Sequence, residues 1–166
     1  MYSNGHYGAS LLCYAPVGFA LLSAGFEAIA VVGGVISLSL ARLPDIDMRL
    51  PFVTHRGITH TLWFVLLVAA LCGSAGWLLA QPLGLGPPVR TAVFAGGIAG
   101  LSVTSHLLAD VITPSGITPL WPLSGRHYTS NIVRADNWVA NQMLFALGVF
   151  SVVMVVVVTT PKLLSA

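Results

Sequence analysis

The chain alternates long apolar runs with short polar segments, and the runs are close to the length that a bilayer demands. A helix needs on the order of 20 residues to cross a hydrocarbon core of about 30 Å. That ruler predicts five spans, at residues 9–25, 28–43, 61–80, 89–109 and 138–160. "GPP" (Gly86 to Pro88) separates the third from the fourth. One helix from 9 to 43 would be about 50 Å long, too long for a bilayer, so a tight hairpin is expected near "GFEA" (Gly25 to Ala28). The expected fold is all-α, a polytopic membrane helical bundle of about five transmembrane helices. Residues 1–166 are expected to form a single integral membrane domain.

Composition strengthens the membrane reading. Mean hydropathy is +0.89, and 56% of residues are hydrophobic against 7% charged, which a water-facing surface cannot accommodate. Residues 1 to 8 hold no Lys or Arg and a long apolar continuation follows, so the first run is not expected to be a cleaved secretory signal. Cys13 and Cys72 both lie in apolar runs and offer neither a disulfide framework nor a metal knuckle. The net charge of +2 forms no basic stripe, and no nucleic-acid partner is predicted.

Charge placement says more. Five crossings bring residues 1–8, the 44–60 loop and the 110–137 loop to one face, with Glu27, Arg90 and Lys162 at the other. Arg42, Arg49, Arg56, Arg126 and Arg134 share the first face, which the positive-inside bias makes cytoplasmic. A multi-pass inner-membrane protein with a cytoplasmic amino terminus and site is therefore expected. All the histidines fall on or just inside this face, so separate polar clusters can meet there.

The densest cluster is "PDIDMRLPFVTHRGITH" (Pro44 to His60). Pro44 fixes the chain as it leaves the second helix into an expected extended stretch, and one of Asp45 and Asp47 is expected to bind metal directly. Gly57 allows a tight path between His55 and His60, while Arg56 offers a fork suited to phosphate or carboxylate oxygens. His60 is placed just inside the third helix and His6 at the entrance to the first. In "HLLAD", His106 and Asp110 stand at i and i+4 on one helical face, a spacing that lets an imidazole and a carboxylate grip one cation. Simpler roles compete with these: a solvated turn for the two Asp, a lipid headgroup partner for Arg56, and a hydrogen-bonded tie between helices for His106 and Asp110.

Taken in order, "NGHYG", "PDID", "HRGITH", "HLLADVITPSGI" and "WPL" resemble the YdjM-like membrane-bound metal-dependent hydrolases, over residues 6 to 123, with further support in "RADNWVAN". That family is in turn distantly similar to zinc-dependent phospholipase C and the related single-strand nucleases, all-helical enzymes with clustered metals. The resemblance implies that His60, His106 and Asp110, with Asp45 or Asp47, ligate one metal. It also implies that Asp110 with His6 forms part of another site, which makes Asp110 bridging. The H-x-x-x-E pair of the phospholipase pattern has no counterpart after Asp110, where only His127 remains.

The chemistry expected of such residues is hydrolysis. A divalent metal with an open position lowers the pKa of its water from about 16 towards 7 and so yields a nucleophile. Zinc is favoured over manganese because histidine is prominent. The Asp of the pair that does not coordinate would act as general base, and Arg56 with Arg126 or Arg134 would bind substrate by balancing charge on a phosphoryl oxygen. A membrane lipid or other amphiphilic phosphoester is the expected substrate. "WPLSGRHYTSN" (Trp121 to Asn131) reads as an interfacial anchor or a lid, and Asn141 as a support behind the site. The rival readings are a proton or metal-ion translocating protein and a non-catalytic metal-binding membrane adaptor.

Overall fold

The computed structural model describes the chain from Met1 to Leu164, with side chains through Thr160. Five α-helices account for most of it: α1 Ser3–Ser23, α2 Glu27–Leu40, α3 Leu62–Ala80, α4 Pro88–Val111 and α5 Trp138–Leu164. Four segments are long and apolar enough to cross a membrane: Glu27–Arg49, Leu62–Ala80, Pro88–Val111 and Trp138–Thr160. The fifth helix, α1, has 21 residues and packs among them. The expected all-helical membrane bundle is what forms. The side chain of Lys162 lies outside the described residues.

Three local expectations are corrected. The first helix begins at Ser3 rather than residue 9, so His6 sits inside it rather than at its entrance. The second helix ends at Leu40 and is followed by a 3-10 helix over Leu43–Arg49, not by extended chain. Pro44 suits that turn because its fixed φ and missing N–H cost nothing at a helix start. His60 belongs to a short 3-10 turn, Ile58–His60, ahead of α3, whose N-cap is Thr61 accepting from the Phe64 N–H at 3.3 Å.

The bundle has two central helices. α1 packs against α2, α4 and α5, while α4 packs against α1, α2 and α3. α1 and α5 approach so closely at Gly8 and Gly148 that a Cβ on either would run into the other's backbone. Small residues serve this purpose in bilayers, where dispersion contacts between backbones replace the hydrophobic drive. A serine network ties three helices: Ser10 Oγ meets Ser37 Oγ at 2.8 Å, and Ser102 Oγ donates to Ser37 O at 2.6 Å, all with no exposure. The apolar core, Val68, Ala99, Val103, Leu107 and Ile117, knits α3 to α4 and to the loop beyond it.

That loop is folded back on the end of α4. Ser130 N donates to Val111 O at 2.7 Å, Thr129 Oγ1 to Thr113 O at 2.6 Å, and Ile117 pairs with Tyr128 in an antiparallel bridge. Gly116 takes φ +46° there, and a side chain would strike the Tyr128 carbonyl. Leu62 N donates to Pro119 O at 2.9 Å, joining the loop to the start of α3. The start of α1, the 42–60 segment, the end of α4 and the start of α5 thus gather at one end of the bundle.

Two outcomes follow from this architecture. Gly148→Leu should lower stability by about 1–3 kcal/mol, as overpacking does, read as a lower Tm in detergent with helix content retained; an unchanged Tm contradicts the α1–α5 contact. In a background lacking Cys13 and Cys72, single cysteines at positions 50 and 124 should label from one side of the membrane and one at position 84 from the other. Labelling of 50 and 84 from the same side contradicts the topology.

Candidate metal centre

Five ionisable side chains from α1, the Leu43–Arg49 turn, the Ile58–His60 turn and α4 converge where these elements meet. His6, His60 and His106 have no exposed surface, Asp110 is 1% exposed and Asp45 9%. His60 Nε2 lies 3.2 Å from His106 Nε2 and 3.2 Å from Asp110 Oδ2. His106 Nε2 lies 3.4 Å from Asp110 Oδ2 and 3.5 Å from Asp45 Oδ1, which is 3.9 Å from His60 Nε2. Ligands about 2.0–2.1 Å from one ion in tetrahedral geometry are about 3.3 Å apart. His60, His106 and Asp110 therefore have the spacing of one three-ligand shell, with Asp45 Oδ1 beside the two imidazoles.

His6 addresses the other oxygens of the same two carboxylates. Its Nε2 is 3.9 Å from Asp45 Oδ2 and 3.9 Å from Asp110 Oδ1, and its ring stacks on His106 at 3.7 Å. Both ring nitrogens of His6, and Asp110 Oδ2, are buried without a hydrogen-bond partner among the described residues. Such orphans cost about 1–3 kcal/mol each unless something not yet counted satisfies them. Three overlapping groups can hold an ion: His6–Asp45–His106, Asp45–His55–His60 and His60–His106–Asp110. A cation among these donors would satisfy His6 Nε2 or Asp110 Oδ2, and His60, His106 and Asp110 offer three ligand atoms within reach of one ion, so the residues fit a divalent metal.

The hydrogen bonds behind the cluster aim its imidazoles. His106 Nδ1 lies 2.8 Å from Ala41 O, which can only accept, so Nδ1 carries the proton and Nε2 presents its lone pair inward. His60 Nδ1 lies 3.0 Å from Thr59 Oγ1 and 3.2 Å from Asp47 Oδ2. Asp47 is turned away from the centre because i and i+2 in a 3-10 helix point to different sides. Its oxygens take the Thr59 hydroxyl at 2.7 Å, the Arg56 N–H at 3.0 Å and His55 Nδ1 at 2.9 Å. The two carboxylates do diverge, with Asp45 facing the cluster and Asp47 behind it. Carboxylates that orient metal-binding histidines from behind commonly occupy such a position.

Arg56 is the brace between the two loops. It holds φ +62°, costly for a residue with a Cβ, and its N–H anchors on Asp47. Its guanidinium donates to Asp110 Oδ1 at 2.8 Å, Thr113 Oγ1 at 3.0 Å and Gly116 O at 3.2 Å. The Met1 amine also meets Asp110 Oδ1, at 2.8 Å. Asn141 holds the entry to α1 by accepting from Tyr2 N at 2.9 Å and donating to Ala135 O and Asn137 O. Asn137 caps α5, accepting from Ala140 N at 3.0 Å.

Beside the cluster opens a cavity of about 370 Å³, lined by Arg42, Asp45, Met48, His55, Arg56 and Asp136 among others. Arg126 and Arg134 do not reach it. Arg126 lies over the Tyr128 ring at 5.3 Å, and Arg134 is exposed and paired with Asp136 at 3.0 Å. His127 is exposed on the same loop. Sequence reasoning passed over Arg42, Thr59 and Thr113 as site residues. Arg42, directly ahead of "LPDID", carried a legible signal as a charge at the mouth of an apolar helix; a threonine gives no such sign.

The profile of the family described as YdjM inner membrane protein matches residues 1–164. Among curated proteins, Inner membrane protein YdjM of Escherichia coli (strain K12) and that of Shigella flexneri are each 35% identical over 128 residues, 66% of this chain. The matched region spans 60% of the length of those relatives. No solved structure matches. With its helical bundle and the match along nearly its whole length, the chain belongs to the YdjM inner membrane protein family.

Proposed function

We propose that this chain is a metal-dependent hydrolase of the inner membrane, its site facing the cytoplasm, that cleaves a phosphoester of a lipid or other amphiphile. The observation that carries the reading is the buried three-ligand spacing of His60, His106 and Asp110, with Asp45 alongside, next to an open cavity. Imidazole and carboxylate donors favour zinc, with manganese the nearest competitor. When bound, such an ion supplies Lewis acidity and acidifies water at neutral pH.

The chain's own residues divide the remaining work. Asp47 orients His60 and holds His55, which lies on the cavity wall with its side chain 43% exposed and is placed to accept a proton. Arg56 keeps Asp110 in register and balances its charge. Met48 lines the cavity, and apolar side chains are exposed on the two segments at this end of the bundle: Leu50, Phe52 and Ile58 on one, Leu120, Trp121 and Leu123 on the other. Such a surface suits a molecule whose phosphate enters while its hydrocarbon stays in lipid. The names of the two relatives support the inner-membrane placement, and the arginines at this end support the cytoplasmic side.

Ion translocation finds less support, because among the described residues the buried polar groups deeper in the bundle are serines, Tyr14 and Thr159, bonded to one another or to backbone, and not a relay of His, Asp or Glu.

Purified protein loaded with zinc should release phosphate or diacylglycerol from mixed-lipid vesicles. His60→Ala and Asp110→Ala should lose bound zinc, measured by elemental analysis, and reduce release to background. Full zinc occupancy with no release would favour the adaptor, and zinc-dependent ion flux in proteoliposomes the transporter. Asp47→Asn should keep the fold but weaken zinc retention against a chelator by about 10–100-fold; retention equal to the unaltered protein contradicts the role of Asp47 behind His60.

A further inference from the structure

Arg42 follows α2 and lines the cavity beside Asp45, His55 and Arg56. Its Nε is buried and has no hydrogen-bond partner among the described residues. The other arginines of this end are spent or exposed. Arg56 is committed to Asp110, Thr113 and Gly116, Arg134 to Asp136, Arg126 to the Tyr128 ring, and Arg49 faces outward. A part-buried guanidinium whose Nε has no hydrogen-bond partner among the described residues, lining a cavity shared with Asp45 and His55, is suited to receive an anion.

We propose that Arg42 is the residue that binds the phosphoryl group of the substrate, in place of the outlying Arg126 and Arg134. The inference rests on the hydrolase reading for its choice of anion. A planar fork meets two phosphoryl oxygens at once, which a point charge cannot do, so the position needs Arg rather than Lys. Met48 beside it on the cavity wall gives an apolar neighbour to whatever the phosphate is attached to.

The test compares the unaltered zinc-loaded protein with Arg42→Gln and Arg42→Lys. Binding of inorganic phosphate and of short-chain phosphatidic acid is followed by calorimetry in detergent, with zinc content measured alongside. Arg42→Gln should weaken phosphate binding by about ten- to a hundredfold, the value of a charge-assisted hydrogen bond, at unchanged zinc content, and Arg42→Lys should restore part of it. Tighter binding of phosphatidic acid than of phosphate identifies a lipid headgroup as the source of the anion; equal binding identifies free phosphate. Unaltered phosphate affinity in Arg42→Gln, no phosphate binding by the unaltered protein, or loss of zinc in both variants overturns the proposal. Arg42-dependent binding without turnover would sink the hydrolase reading and leave this one standing, whereas turnover with Arg42-independent binding would do the reverse.

Discussion

Three imidazoles and two carboxylates packed together with almost no water contact are the constraint on which this structure turns. In a low-dielectric interior a carboxylate without a counter-charge costs several kcal/mol, and a bilayer around the bundle removes the option of solvating it. Arg56 and the Met1 amine both place positive charge on one oxygen of Asp110. Among the described residues, the opposite oxygen of Asp110 and both nitrogens of His6 have no hydrogen-bond partner. His60 Nε2, His106 Nε2 and that oxygen of Asp110 lie within 3.4 Å of one another, an arrangement a divalent cation would satisfy.

The helices meet the geometric demands of that cluster. α1 delivers His6 and is held by the glycine contact with α5 and the serine tie to α2 and α4. α4 delivers His106 and Asp110 one turn apart. The two 3-10 turns deliver Asp45 and His60, and the loop beyond α4 folds back to give Arg56 its second and third anchors, through Thr113 and Gly116. The donors come from distant parts of the sequence, so their spacing is a property of the bundle and not of any local motif.

Much of this was legible in the amino-acid order. Apolar run length marked the helices, and the parity of crossings brought His6, the "PDID" segment, His60 and the "HLLAD" pair to one face, where the structure does place them together. Local geometry was less legible. Asp45 and Asp47 diverge because they lie on a 3-10 turn; extended chain, with which Pro44 is equally compatible, would set i and i+2 on one side. Which of the pair faces the cluster depends on the path back to His60, which no spacing rule contains. Arg56, Arg126 and Arg134 were equivalent as charges on a face; burial separates them, by seating Arg56 on Asp110 and leaving the other two at the surface. Arg42 was counted as a topological charge, and its unmet Nε is visible only in three dimensions.

The central claim is that His60, His106 and Asp110 can hold one metal ion, with Asp45 beside them. An anomalous-scattering map at the zinc edge, from crystals of the zinc-loaded protein, tests it most directly. The account predicts a peak about 2 Å from His60 Nε2, His106 Nε2 and an oxygen of Asp110. A map with no peak among these side chains, or with zinc bound only at surface groups such as His127, would contradict it.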